Sequence, residues 1–388
     1  MVSMGSLQEI YRTRVEGEHP ETVDFVLTFK DGTKTTIRFN RDYPLRYGTN
    51  PHQPSAEYSF EESLLTMEEV KTGKSGMSQT NREDILHGCK ILKYFSNPTC
   101  AVMKHLNPSG VAVEESVEES LKKAEGCDTQ AAFGGVYVLN KPVDKDTALA
   151  TEGHYIEVIG APDFDEGVMD IFEKRKDLRV IKVSGIGNLP KFVGDKTIPD
   201  IKSYEGRLFL ETPFLTKIRS IDDLRNRDIE KLPAIVSRRE PTEQELKDML
   251  SAWYICAAVR SNGIVFGKNG YSVGIGTGQQ DRVTAVRQAI GKNEYLHGYK
   301  WYQFFNKLLD RLFDKQRYRD SLTYGLNGAV IASDGLFPFS DSIEACGKVG
   351  ISAVIQPGGS VKDKEVIEAA NKFNMAVVFT GERCFAHH

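Results

Sequence analysis

The chain has 388 residues, 40% hydrophobic and 27% charged, with a formal net charge of −4 at pH 7. That length suits two or three domains with their own cores, and the mildly acidic balance gives no field for nucleic acid or an anionic membrane, so any anionic ligand must be met by local basic residues. No apolar run approaches the roughly 20 residues that cross a bilayer, the opening MVSMGSLQEIYRTRVEG is too polar for a secretory signal, and the scattered cysteines, with no C-x-x-C, read as reduced thiols of a cytoplasmic protein.

In chain order, TVDFVLTFKDGTKTTIRFN alternates about Asp31-Gly32 and predicts a hairpin. RDYPLRYGTNPHQPSAEY reads as an irregular loop. NREDILHGCKILKYF has helical period, with Ile85, Cys89 and Leu92 on one side. TCAVMKHLNPSGVAV predicts strand, loop and strand, with an Asn-Pro-Ser-Gly turn after Lys104 and His105. EESVEESLKKAEG predicts an exposed helix, AAFGGVYVLN a strand entered through a glycine pair, and YIEVIGAP and LRVIKV short buried strands. This rhythm predicts an α/β fold. A Gly/Pro-rich and then charged region at 185–240 marks a weak boundary. TEQELKDMLSAWYICAAVRSN opens a long helix in which Thr242 and Glu245 form a capping box. GIVFGKNGYSVGIGTGQQDR predicts two strands about a Lys-Asn-Gly turn and a Gly-rich loop. An aromatic-rich helical insertion follows at about 291–322, and the C-terminal stretch returns to βαβ. A faint repeat runs through the chain: LNPSGVAV at 106 is echoed by LNGAVIAS at 326, and the segments that follow at 120 and 143 by those at 342 and 361.

Several stretches carry chemistry. Arg46 and Tyr47 set a guanidinium fork beside a phenol, which suits a phosphate and equally a solvated loop. Lys104-His105 couples an ammonium with the usual general base near neutral pH; the cation disfavours imidazolium and suits a developing oxyanion. The same dipeptide also fits a strand end that surfaces. Neighbours on a regular strand face opposite ways, so joint service in one site requires a twist or bulge. The glycine pairs of FGG (133–135) and PGGS (357–360) allow close backbone approach to a ligand. GIGTGQQDR lacks the third-glycine spacing of a dinucleotide fingerprint, which excludes Rossmann binding, and no His/Cys set has zinc spacing. Asp334 and Asp341 bracket a Phe-Pro-Phe, either as carboxylates in an aromatic pocket or as a plain turn. FTGERCFAHH follows the apolar MAVVFT without a linker and reads as an ordered terminus.

RYGTNPHQ, KHLNPSG, AAFGG, YIEVIGAP, SNGIVFGKNG…GIGTGQQDR, SDGLFPF, QPGGSVKD and FTGERCFAHH together resemble, in order and spacing, the AICAR transformylase domain, AICAR being 5-aminoimidazole-4-carboxamide ribonucleotide. The resemblance runs from about residue 40 to the end. Nothing resembles the IMP cyclohydrolase domain that usually precedes it, so the expectation is a stand-alone transformylase. The resemblance implies formyl transfer from 10-formyltetrahydrofolate to the 5-amino group of AICAR in purine (IMP) biosynthesis, giving FAICAR and tetrahydrofolate. It also implies two tandem cytidine-deaminase-like α/β units without zinc, the second carrying the helical insertion, and a homodimer with interfacial sites. A monovalent cation such as potassium is a further expectation. The expected division is 1–75 (hairpin and nucleotide-binding loop), 76–205 (first unit) and 206–388 (second unit). The contrasting reading, of a different class, is a non-catalytic AICAR- or purine-nucleotide-binding sensor.

Carried over residue by residue, the resemblance makes His105 the base, Lys104 its oxyanion-stabilising partner and Asn262 the residue that orients carboxamide and formyl groups. Arg46, Tyr47, Gly134, Glu157, Arg282, Arg383, Phe385 and His387 fall at substrate-binding positions, the arginines Arg46 and Arg383 mainly on the phosphate and Glu157 on the ribose. Phe133, Leu336, Pro338, Asp341 and Ser360 fall around the folate. Leu336 stands where an aromatic often faces the folate, and Asp281 replaces a small hydroxyl residue.

Overall fold

The computed structural model describes residues 14–73, 75–229, 232–299 and 325–387. The alternating first segment forms β1 (Thr22–Thr28) and β2 (Lys34–Pro44), which build a small antiparallel sheet with β3 (Ala56–Phe60). The turn between β1 and β2 is wider than a two-residue one. It spans 29–33, with Gly32 at φ +82° and the Asp31 carboxylate accepting Thr33 N–H at 3.0 Å.

β4 (Thr66–Lys71) leaves that sheet for the main one. There follow α1 (Gln79–Leu92), β5 (Thr99–Lys104), β6 (Asn107–Val113), α2 (Val117–Cys127), α3 (Thr129–Ala132), β7 (Gly135–Leu139), α4 (Lys145–Ala150), β8 (Ile156–Ala161), α5 (Val168–Phe172) and β9 (Arg179–Ser184). The 185–240 region holds a separate hairpin, β10 (Asp200–Tyr204) with β11 (Arg207–Glu211), then α6 (Ile221–Asn226) and the short pair β12 (Asp228–Ile229) and β13 (Leu232–Pro233). The remainder is α7 (Glu243–Cys256), β14 (Ile264–Lys268), β15 (Tyr271–Gly276), α8 (Arg282–Asn293), β16 (Val330–Ser333), α9 (Asp341–Lys348), β17 (Ala353–Gln356), α10 (Asp363–Lys372) and β18 (Ala376–Phe379). The capping box of Thr242 and Glu245 opens α7 as expected. Of the expected insertion at 291–322, α8 reaches Asn293 and a π-helical turn covers Glu294–Tyr299; the rest lies outside the described residues. No described helix is long and apolar enough to cross a membrane.

The main sheet has eleven strands in the order β18-β17-β16-β14-β15-β6-β5-β7-β8-β9-β4. Read outward from the β15–β6 seam, both halves follow one plan. An antiparallel hairpin (β6–β5 or β15–β14) meets an antiparallel third strand (β7 or β16), and two more strands extend parallel to it. The sequence echoes pair the wrong elements of this plan. LNPSGVAV contains β6, whose counterpart is β15, whereas LNGAVIAS contains β16, the counterpart of β7.

Strands buried on both faces read as continuous apolar runs, because helices cover the sheet on each side. One core gathers Leu121 and Ala124 of α2, Val286 of α8, Ile343 of α9 and Val366 of α10 against the sheet. The other gathers Ile85 and Cys89 of α1 with Leu246, Met249 and Trp253 of α7. The helix expected to be exposed, α2, therefore buries Ser120, Leu121, Ala124 and Cys127. All six cysteines are buried thiols outside any disulfide. The Asn-Pro-Ser-Gly segment is not a turn: it begins β6, and the chain reverses at His105 and Leu106 instead.

Candidate active site

His105 and Leu106 form a two-residue turn, at φ +53° and +66°, with Lys104 paired to Asn107 across it. Two successive left-handed non-glycine residues are strained and persist only where the surroundings hold them. Asp84 of α1 does this: its carboxylate accepts Leu106 N–H at 2.6 Å and also bonds the backbone of His105. Burial pushes the Asp84 carboxyl up to about 6, against the pull of those N–H groups and of Lys104. The turn, with a bulge between Val102 and Met103, removes the need for strand neighbours to share a face: Lys104 ends β5 and His105 stands exposed at the tip.

Lys104 Nζ donates to the carbonyls of Phe133 at 2.8 Å and Gly134 at 2.9 Å, two of the three bonds an ammonium can give. Gly134 has φ +67°, and a Cβ there would stand 3.3 Å from Lys104 Nζ and 3.2 Å from the Tyr155 ring. Glycine is thus required by both conformation and space. Phe133, exposed, packs on Tyr155 at 5.0 Å between centroids.

Beyond Gly134 lies a cationic cluster. Arg46 is buried, stacks on Tyr47 with its guanidinium carbon 4.5 Å from the ring centroid, and donates to the Tyr47 hydroxyl at 3.0 Å. Its backbone is fixed by Arg46 N–H to Met77 C=O at 2.9 Å, and Tyr47 C=O accepts from Gln79 N–H at the start of α1. Arg179, buried at the start of β9, donates to Gly76 C=O at 2.6 Å and lies 3.6 Å from Glu157 of β8. Burial, then the neighbouring Arg179, lower Arg46 below the usual guanidinium range. Arg46 Nε finds no hydrogen-bond partner among the described residues. Two buried like charges and an orphaned donor fit an anion. The rest of that loop turns on itself, Gln53 accepting from Asn50.

A second cluster follows the seam. Arg282, first residue of α8, pairs with the fully buried carboxylate of Asp334, which also accepts Gly263 N–H at 2.9 Å. Phe385 lies under both Arg282 (5.9 Å) and Arg383 (4.9 Å), and His387 meets its edge at 6.0 Å. Asn262 Nδ2 donates to Gln279 C=O at 2.8 Å. Asp281, the departure beside Arg282, is the N-cap of α8, accepting Thr284 N–H and Oγ1–H at 2.8 Å each.

Asn107 joins this cluster to the turn. Its Nδ2 donates to His105 C=O at 3.1 Å, while its Oδ1 accepts Arg260 N–H at 2.9 Å and the Thr277 hydroxyl at 2.8 Å. Register places all these residues on one rim of the sheet. The first half contributes the N-terminal ends of β7, β8 and β9, and the second half the C-terminal end of β16. The rim brings Lys104, His105, Gly134 and the Asn262 loop close together. It does not bring the arginines together, since β9 and β16 stand seven strand spacings apart, about 30 Å. Arg46 lies by Arg179 and Glu157 at one side of the rim, and Arg282 by Gly263 and Asp334 at the other.

The expected folate residues also divide. Phe133 sits beside Lys104, whereas Leu336 and Pro338 lie on the loop after β16, Asp341 at the helix start that follows it, and Ser360 on the loop after β17. Phe337 is buried there, held by N–H to Gln356 Oε1 at 2.9 Å, and Ser360 N–H caps onto Asp363 at 3.1 Å. Asp341 opens α9 and faces a groove of about 370 Å³ against Arg287 and Ile290 of α8. Three residues to which the sequence reading gave no site role, Asp84, Asn107 and Arg179, hold this architecture together with Asp334. Arg179 is the charged first residue of a largely apolar buried strand, which was its one sequence signal; Asp84 lies among other polar residues at the start of α1, where Asn81 and Arg82 are buried too, and carried none.

Residues 15–292 match the model of the AICARFT/IMPCHase bienzyme family. The chain is 38% identical over 357 residues to the bifunctional purine biosynthesis protein PurH of Caldicellulosiruptor saccharolyticus, covering 91% of this chain and 60% of that one. PurH of Aquifex aeolicus is 37% identical over 359 residues (92% and 62%), and PurH of Persephonella marina 36% over 357 residues (91% and 61%). The chain thus spans about three-fifths of the length of these curated relatives. It belongs to the AICARFT/IMPCHase bienzyme family.

Proposed function

We propose that the chain transfers the formyl group of 10-formyltetrahydrofolate to the 5-amino group of AICAR, in purine biosynthesis. The observation that carries this reading is the Lys104–His105 turn, an ammonium and an exposed imidazole fixed side by side on the rim between two arginine clusters. AICAR's amine is a weak nucleophile, so its attack needs a base. Its nitrogen bonds to the formyl carbon as His105 removes a proton. Lys104, with its third N–H free of the two carbonyl bonds, meets the oxygen that becomes anionic. Breaking the bond from the formyl carbon to the folate nitrogen returns the proton to that nitrogen and releases tetrahydrofolate.

Arg46, Tyr47 and Arg179 hold the phosphate and Glu157 the ribose. Asn262 orients the carboxamide, and Phe385, backed by Arg282, Arg383 and His387, lies along the imidazole. Phe133, Leu336, Pro338, Asp341 and Ser360 receive the folate. The spacing along the rim supports a complete site built from two chains, with a partner's second-half cluster meeting the first-half cluster. The chain acts in this reading as a homodimer in the cytoplasm. The matching strand order of the two halves supports tandem cytidine-deaminase-like units, 76–205 and 206–388, with 1–75 packed on the first. The test is to mix the protein with AICAR and 10-formyltetrahydrofolate and follow FAICAR and tetrahydrofolate, with AICAR binding measured in parallel. Binding without transfer overturns the reading in favour of a sensor.

A further inference from the structure

Among the described residues the hairpin β10–β11 belongs to no larger sheet. Every residue of β11 is exposed, including Leu208 (54%), Phe209 (53%) and Leu210 (47%), and Tyr204 across the hairpin is 57% exposed. An isolated two-stranded hairpin is marginal in water, and an exposed apolar strand edge is a template for pairing with another chain. The feature that identifies the partner is the strand itself, Arg207-Leu208-Phe209-Leu210-Glu211. It is complementary to its own reverse, with a cation at one end, an anion at the other and three apolar residues between.

From the self-complementarity of this edge we infer that β11 pairs antiparallel with β11 of a second copy of the chain, about a two-fold axis at Phe209. In that register Phe209 lies opposite its own copy, Leu208 opposite Leu210, and Arg207 opposite Glu211, twice by symmetry. Backbone geometry agrees. Tyr204 pairs with Arg207 across a two-residue turn in which Glu205 (φ +47°) and Gly206 (φ +75°) are left-handed. That turn directs the N–H and C=O of Arg207, Phe209 and Glu211 toward β10, and those of Leu208 and Leu210 to the free edge. The two-fold register makes Leu208 and Leu210 the hydrogen-bonding pair, so the groups at the edge are the ones used. The result is a four-stranded sheet, β10-β11-β11-β10, across two chains. One face gathers Ile201, Leu208 and Leu210 of both copies; the other carries the Phe209 pair, with each Phe209 already 6.2 Å from its own Tyr204.

Glu211, at the base of the hairpin and held by Lys202 Nζ at 2.8 Å, faces the side of the molecule that carries His387. The pairing deepens the two-chain reading of the candidate site and rests on it only in the choice of a second copy as partner. It does not depend on which reaction the site performs.

The test is position-specific cross-linking of the full chain. The six native cysteines are buried, so an introduced thiol on the hairpin is the accessible one. Under mild oxidation, Phe209→Cys should form a covalent dimer, because a non-hydrogen-bonded opposite pair has disulfide geometry. Glu205→Cys, at the turn, should stay monomeric on a non-reducing gel. Sedimentation of Arg207→Glu should show the dimer weakened at least tenfold, with Arg207→Glu/Glu211→Arg restoring it. Equal cross-linking at both positions, or a dimer unchanged by Arg207→Glu, overturns the inference. Formyl transfer assayed on the wild type separates this outcome from failure of the enzymatic reading.

Discussion

The Asp84 carboxylate and the Leu106 N–H meet at 2.6 Å, and this bond fixes the direction in which the neighbouring His105 leaves the sheet. Asp84 touches no reacting atom in the proposed chemistry; it positions the turn. Asp84→Ala should lower kcat of the proposed transfer by about 10- to 100-fold, the range expected when a catalytic group is displaced by an ångström, with AICAR affinity nearly unchanged. Steady-state kinetics beside calorimetric titration checks this, and a parallel loss of binding would point to collapse of the rim instead.

The same carboxylate gives a pH signature. Burial raises Asp84 from 3.8 to about 6, so folding favours its protonated form. That contribution to stability is full below the unfolded value and is lost as pH rises through about 6. Between pH 3 and pH 7 the stability of the wild type relative to Asp84→Asn should fall by roughly 3 kcal/mol, the worth of two pKa units. Urea unfolding of both proteins across that range measures it, and a constant difference contradicts it. Activity runs the other way, because the ionised carboxylate is the form that accepts the turn's N–H groups. Transfer should weaken below about pH 6.

Periodicity and turn chemistry reveal much of this architecture, since α1, α7, the β14–β15 hairpin and the buried parallel strands all carry strong local signals. The reversal at His105 and Leu106 was hidden because a leucine disfavours a left-handed backbone; a carboxylate on α1, more than twenty residues earlier, imposes it. Asn-Pro-Ser-Gly carries a turn signal yet starts β6, where Asn107 is recruited to join the two halves. The repeat was misaligned for a related reason. The shared rim uses opposite strand ends in the two halves, so equivalent positions hold different residues and local echoes mislead. The hairpin β10–β11 lay in a stretch read as a boundary because its apolar residues are largely exposed and join neither core of the described residues.

Gly134→Ala tests the floor of the site. The new methyl meets Lys104 Nζ at 3.3 Å and Tyr155 at 3.2 Å, at a φ of +67°. The backbone strain should cost about 1–2 kcal/mol of stability. Displacement of the ammonium should lower transfer at least tenfold, and a wild-type rate in a folded variant would contradict the placement of Lys104.

Arg282→Ala should destabilise the chain by about 3–5 kcal/mol, because it strands the Asp334 carboxylate in a fully buried position. The double change Arg282→Met/Asp334→Leu should recover much of that loss while leaving Phe385 without the Arg282 cation. Denaturant midpoints give the first result, and AICAR titration of the double variant gives the second. A single variant as stable as the wild type would show that Asp334 finds another partner.

The central claim is that His105 is the base for formyl transfer, and the most direct measurement is the rate of tetrahydrofolate formation from AICAR and 10-formyltetrahydrofolate by the wild type and by His105→Ala. The expected result is turnover by the wild type and a rate about 10²- to 10⁴-fold lower in the variant, with AICAR still bound. Transfer by His105→Ala at the wild-type rate would contradict the assignment.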